Sequence, residues 1–273
     1  MVFGNGIAAC YDLEGNRAWA RFIAKPPNDW GTSNTPVLAD GKLILHLRVM
    51  RALDPLTGEE LWTANTPWGW GTHWVQEIDG TLVIITTQGA FVRAEDGTII
   101  GTVPSQLKWG SGPVVVDGIV YFIDSQGKNA ISRAYRLPET LEEPFEPEML
   151  WEAEPNVNRY YASPIIEDGA IYAINRHNVF SVLNAATGEI VSEETLDIGK
   201  GDVFASIVLA GGHLIITHET GTSIVLKPGE EIGDLLAVAT NRLSDMVRST
   251  PVFDGDLMYV RGYENLYCIG ATD

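Results

Sequence analysis

The chain has 273 residues, with 36 Asp and Glu against 18 Lys and Arg, for a formal net charge of −18. That balance argues against nucleic acid as a partner, because phosphate binding draws its affinity from Lys and Arg, and against attachment to an anionic membrane through a basic face. No apolar run approaches the ~20 residues of a spanning helix, and Met1 is not followed by the charged and apolar regions of a signal peptide.

In chain order, Met1 to Gly4 reads as the tail of a strand, followed by strands at Ile7 to Leu13 and Arg17 to Ile23. The next unit is the most regular, with strands predicted at about Asn34 to Ala39, Lys42 to Arg48, Met50 to Asp54 and Glu60 to Ala64. Its first hairpin is marked by Asp40-Gly41, and the same signal recurs at Asp79-Gly80, Asp117-Gly118, Asp168-Gly169, Gly211-Gly212 and Asp254-Gly255. Asp-Gly between two apolar runs is a hairpin signal because Gly accepts the positive φ of the turn. With Pro36, Val75, Pro113, Pro164, Ile207 and Pro251 as equivalent positions, the period is ~40 residues, which fits four-stranded propeller blades. The last unit supplies strands at Ser249 to Phe253, Asp256 to Arg261 and Asn265 to Ile269. The expected fold is an all-β propeller, with five complete and two partial blades in a ring of six to seven. It is expected to be one domain over residues 1–273, with further strands upstream in a longer parent chain.

A second phrase closes the units. It is complete at Ala52-Leu53-Asp54-Pro55-Leu56-Thr57-Gly58-Glu59-Glu60-Leu61-Trp62 and weaker at Cys10 to Trp19, Ala94 to Gly97 and Leu183 to Glu189. The tryptophans that follow it, Trp19 and Trp62 together with Trp151, are expected to pack between neighbouring blades, where aromatic area is the main adhesive. Pro138 to Pro147, rich in Glu and Pro, reads as a solvated acidic loop. Cys10 and Cys268, at equivalent strand positions of the first and last units, are expected to be free core thiols.

The connections before each first strand and after each second strand meet at one rim. There the sequence places Trp30, Trp70, Trp109 and Tyr161 among Arg48, Asp124, Arg176, His177, His218 and Arg261. Aromatic faces among charged groups on a rigid scaffold suit a carbohydrate, a peptide strand or a flat cofactor. The five histidines lack metal-ligand spacing, so neither a metal site nor a catalytic residue is assigned. Ser163-Pro164 and the glycine-rich turns are strand entries and turns, without the helix that a nucleophile elbow or phosphate loop requires.

The pattern Ala-x-Asp-x-x-Thr-Gly-x-x-x-Trp at Ala52 to Trp62, with the closing phrase Arg261 to Gly270, resembles the repeat of the PQQ-like (quinoprotein dehydrogenase-like) β-propellers. It is most similar to the bacterial repeat proteins of their non-enzymatic branch. That resemblance implies a binding or assembly scaffold outside the cytoplasm, with a protein or carbohydrate partner and no cofactor. The alternative it implies is a quinone-dependent alcohol or sugar dehydrogenase, or a fragment of one, holding PQQ with calcium. The chain lacks the adjacent Cys-Cys pair of many such enzymes and an evident calcium cluster.

Overall fold

The computed structural model describes residues 1–29, 31–105, 107, 109–124, 131–142, 145–156 and 158–270, among which there is no helix. Each strand pairs with its chain neighbour, so every sheet is an antiparallel meander. The first sheet joins β1 (Ile7–Tyr11) to β2 (Arg17–Phe22), with an isolated bridge between Val2 and Ala8. The second is β3 (Val37–Ala39), β4 (Lys42–Leu47), β5 (Val49–Leu53) and β6 (Glu60–Ala64). The third is β7 (Trp74–Ile78), β8 (Thr81–Ile85), β9 (Ala90–Arg93) and β10 (Ile99–Thr102), and the fourth is β11 (Val114–Val116), β12 (Ile119–Phe122), β13 (Ser132–Arg136) and β14 (Glu148–Ala153). The fifth is β15 (Ile165–Glu167), β16 (Ala170–Ile174), β17 (Val179–Asn184) and β18 (Ile190–Thr195). The sixth is β19 (Val208–Ala210), β20 (His213–Thr217), β21 (Thr222–Pro228) and β22 (Leu235–Arg242). A three-stranded sheet of β23 (Val252–Asp254), β24 (Leu257–Arg261) and β25 (Leu266–Ile269) follows. The five complete and two partial blades expected from the repeat are these sheets, and the fold is a β-propeller.

The hairpin turns carry the expected chemistry, with positive φ at Asp40 and Gly41, Asp79 and Gly80, Asp117 and Gly118, and Asp168 and Gly169. A two-residue loop with both centres at positive φ matches the twist of the strands it joins. The last sheet differs from expectation by one residue. Its turn is Gly255-Asp256, with Gly255 at φ 55° and Asp254 still inside β23. β3 also begins later than the sequence suggests, at Val37 rather than Asn34. Asn34 belongs to the approach to β3, where its Nδ2 donates to Gly69 O at 2.9 Å.

The closing phrase has a physical explanation in the turn it builds. Asp54 Oδ1 accepts the N–H groups of Leu56 and Thr57, both at 2.8 Å, Thr57 Oγ1 accepts Glu59 N–H at 3.2 Å, and Gly58 N–H closes on Asp54 O at 2.8 Å. Asn184, Thr187 and Gly188 repeat the arrangement between β17 and β18. The backbone donors that hold Asp54 push its carboxyl below the ordinary range. Each such turn receives the tryptophan of the preceding sheet. Trp19 Nε1 donates to Pro55 O at 2.9 Å, Trp62 Nε1 to Ala94 O at 3.0 Å and Trp151 Nε1 to Ala185 O at 2.9 Å. The rings lie on Gly58, Gly97 and Gly188, where an added Cβ would stand 2.8, 2.6 and 2.6 Å from the indole. Glycine is therefore required twice, for the close approach and for φ of 71°, 78° and 74°.

The chain divides into two compact units, Met1–Phe122 with Tyr135–Met149, and Ile123–Ala134 with Leu150–Asp273. In the first unit the largest core cluster gathers Val83, Ile85, Phe91, Phe122 and Tyr135. It also takes in Phe145, whose ring centroid lies 5.1 Å from that of Phe91. Within the acidic Pro138 to Pro147 stretch, of which Glu143 and Pro144 lie outside the described residues, Phe145 is thus buried rather than solvated. In the second unit the core runs from Tyr172, Ile174 and Phe180 to Val203, Leu214 and Ile216. Both cysteines are free thiols, but only Cys10 is partly covered. Cys268 is exposed, so the expectation of a core thiol fails there.

The tryptophan-on-glycine contact predicts two stability losses of different origin. Trp151→Ala, at a ring only 7% exposed, is expected to cost about 3–5 kcal/mol. Gly188→Ala is expected to cost about 2–4 kcal/mol, combining the positive-φ penalty with overpacking against the ring. Urea unfolding checks both, and a Gly188→Ala variant as stable as the parent would mean the indole does not rest on that turn.

Candidate functional site

In the first unit the connection from β6 to β7 carries the Trp68-Gly69-Trp70 segment, and His46 near the end of β4 clamps its base. His46 Nδ1 lies 2.9 Å from His73 Nε2, and His46 Nε2 lies 3.3 Å from both the carbonyl and the hydroxyl of Thr66. A carbonyl only accepts, so the tautomer that satisfies it puts the proton on His46 Nε2 and makes His73 Nε2 the donor to His46. His73 Nδ1 is then a buried acceptor without a hydrogen-bond partner. Burial lowers both rings from their ordinary value, His46 to about 4 and His73 to about 3, and each is kept neutral. Trp68 and Trp70 meet edge to face with centroids 4.9 Å apart. Ser33 Oγ pins the loop from outside by donating to Trp70 O at 2.8 Å.

In the second unit the rim forms one continuous column. Tyr161 and Phe204 stack with centroids 4.9 Å apart and planes 2° from parallel. The guanidinium carbon of Arg176 lies 5.8 Å from the Tyr161 centroid, and that of Arg248 lies 4.6 Å from the Phe204 centroid. Two carboxylates hold the arginines in place. Asp202 Oδ1 accepts Arg176 Nε at 3.1 Å, and Glu219 Oε2 accepts Arg248 Nε at 3.1 Å and Nη2 at 2.9 Å. Glu219 Oε1 in turn accepts the Asp202 N–H at 2.9 Å, which joins the two halves. Cations over aromatic faces contribute ~0.5–2 kcal/mol each, more as water is excluded.

The other predicted rim residues have separate duties. Arg48, at φ 64°, donates to Lys25 O at 2.8 Å and Pro26 O at 3.4 Å and so ties down the preceding connection. Trp109 is half-buried. Asp124 is buried, its backbone exchanging hydrogen bonds with the Ser132 hydroxyl. His177 is exposed, with its Nδ1 2.7 Å from Asn158 Nδ2. His218 is fully buried against Thr220, and burial lowers its pKa. Arg261 is exposed, and its carbonyl accepts Ser249 Oγ at 2.8 Å. Trp30 lies outside the described residues.

Of the column, the sequence singles out only Tyr161 and Arg176; Phe204, Glu219, Arg248 and Asp202 are not among its rim residues. Arg248 sits just before β23, the position that carries an aromatic in other units, and that register was the available signal. Asp202 had none, because its role depends on the fold of the connection between β18 and β19.

A calcium-held quinone requires carboxylate and amide oxygens that converge on the metal. Among the described residues no three His, Cys, Asp or Glu side chains gather to hold a metal ion. Guanidinium groups also cover both outer faces of the Tyr161–Phe204 pair, so a flat cofactor has no open face there.

No protein-family model matches the chain, and no curated protein matches it in sequence. Among solved structures it is similar to BamB from Moraxella catarrhalis, with a TM-score of 0.73 and 14% identity over 97% of this chain and 76% of that one. It is also similar to the computationally designed Ika8 protein, with a TM-score of 0.57 and 10% identity over 99% and 92% of the two chains. KlHsv2 with loop 6CD replaced by a Gly-Ser linker gives a TM-score of 0.60 and 10% identity over 87% and 79%. At these identities the likeness shows the fold, a β-propeller. No helix among the described residues is long and apolar enough to cross a membrane.

The buried histidine pair makes stability depend on pH. Both folded pKa values lie below the ordinary 6.5, so the unfolded chain takes up protons that the folded chain refuses. Stability is therefore expected to fall as pH drops from about 7 to 5, by at most ~1.4 kcal/mol per pH unit for each ring. A His46→Gln, His73→Gln double variant should show a flatter profile in urea unfolding across that range. An equally steep variant would place the protons elsewhere.

Proposed function

We propose that this chain is a non-catalytic binding scaffold that holds a protein partner at the rim, outside the bacterial cytoplasm. The observation that carries the reading is the Arg176–Tyr161–Phe204–Arg248 column, prearranged by Asp202 and Glu219. A surface built from rigid aromatics and oriented arginines matches the residue types that dominate protein interfaces. Because these side chains are already ordered, little conformational entropy remains to be lost on association. His177 and Arg261, exposed in neighbouring connections of the same unit, extend the surface. The resemblance to the non-enzymatic repeat propellers supports a protein as partner and supports the location. The reading requires no cofactor.

The test is capture of a partner from an envelope extract by parent and by a Tyr161→Ala, Phe204→Ala double variant. The variant is expected to keep its melting temperature within a few degrees and to lose affinity by roughly tenfold or more, as truncation at an interface centre does. Unchanged capture would remove the rim from the reading, and turnover of alcohols or sugars with added PQQ and calcium would replace the scaffold with an enzyme.

A further inference from the structure

The hydrogen-bonding capacity of the column is unbalanced toward donors. Glu219 is used on both oxygens, by Asp202 N–H and by Arg248, and Asp202 spends one oxygen on Arg176. Arg176 commits only Nε and Arg248 only Nε and one Nη, so N–H groups of both guanidiniums remain without a partner among the described residues. The Arg248 side chain is 58% exposed. Lys200 and Arg261, exposed in adjoining connections, have no ion pair among the described residues. Acidic residues three positions from them in sequence are Asp197 and Glu264, and the Asp245 carboxylate is taken by the N–H groups of Tyr263, Glu264 and Asn265. The opposite end of the same sheets differs in sign. There β15 ends on Glu167 and β23 on Asp254, and the turns present Asp168, Glu230, Glu231 and Asp256, with Lys227 near the end of β21.

Resting on the rim reading above, the geometry points to an extended, carboxylate-bearing peptide segment as the partner element, its acidic side chains accepting from Arg176 and Arg248 across the edges of Tyr161 and Phe204. The contacts along the column, 5.8, 4.9 and 4.6 Å, set an upper limit on the spacing of the guanidiniums that an extended segment of about five residues spans at ~3.3 Å per residue. Guanidinium forks suit carboxylates because two N–H groups can meet two oxygens. A net acidic protein with one donor-rich face also orients such a segment toward that face and away from its acidic turns.

The experiment uses the full chain and short labelled peptides that are identical except for carrying glutamate, glutamine or lysine, with binding followed by fluorescence anisotropy at low salt. The glutamate peptide is expected to bind more tightly than the glutamine peptide. Arg176→Gln with Arg248→Gln should weaken it by roughly tenfold or more, and Lys227→Gln should leave it unchanged. Equal affinity for the glutamate and glutamine peptides, or no effect of the arginine variants, overturns the acidic preference. If the glutamate and glutamine peptides bind equally yet both are lost with Phe204→Ala, the rim stands and only the acidic preference falls. If no peptide responds to Phe204→Ala, the rim reading falls as well. Should the arginine variants not fold, a salt titration of the parent decides. The glutamate peptide must weaken with salt more steeply than the glutamine peptide, and parallel curves overturn the preference.

Discussion

The structure depends on one recurring contact, an indole laid on a glycine in the next sheet with its N–H on a carbonyl of the same turn. A sheet presents two faces, and a meander of three or four strands cannot cover either alone. Trp19 on Gly58, Trp62 on Gly97 and Trp151 on Gly188 each close one such face and set the spacing of two successive sheets. The Asp-x-x-Thr-Gly turn at Gly58 and its Asn184 counterpart at Gly188 hold the glycine at positive φ, and an earlier carbonyl of each turn, Pro55 O or Ala185 O, accepts from the indole. Where the tryptophan is missing, another group takes its place. Val191 Cγ1 lies near Gly233 in the β21–β22 connection, whereas at β10 the roles are reversed: the glycine, Gly101, is in the strand and Phe145 of the β13–β14 connection lies on it. The adhesive is thus positional rather than tied to one residue type, which is why the repeat tolerates such degenerate sequence.

This packing frees the connections at the other end of each strand from structural duty, and the two units use that freedom differently. In the first, His46 and His73 turn inward and hold the base of the Trp68–Trp70 loop with neutral rings. In the second, charge is kept at the surface and organised there. An isolated surface ion pair contributes little to stability. In the column, however, Asp202 and Glu219 do something other than stabilise, since each holds a guanidinium over an aromatic ring. The result is a face on which two guanidiniums are held in place with hydrogen-bond donors left over.

Much of the architecture was legible from local signals. Asp-Gly pairs located the first hairpins because few dipeptides accept positive φ at both centres, and Trp62 could be assigned to an interface from its place in the closing phrase. The errors were equally local in origin. At the last hairpin Gly255-Asp256 reverses the usual order, so the sequence pattern slipped by one residue. Phe145 was hidden by its Glu- and Pro-rich neighbours, because composition averages over the one side chain that turns inward. Tyr160 and Tyr161 are adjacent in sequence, yet only the first is buried, with its hydroxyl donating to Asn156 O at 3.3 Å.

The sequence by itself determined the blade repeat, the turn chemistry and the aromatic character of the rim, since these follow from backbone propensity and periodicity acting over a few residues. The tertiary structure decided which aromatics are walls and which are surface, that Arg176 and Arg248 cap a single stack, and that Asp202 and Glu219 orient them. Those contacts join residues up to 44 positions apart, Phe204 to Arg248, and spacing along a chain carries no information about which long side chains meet once loops from different sheets converge.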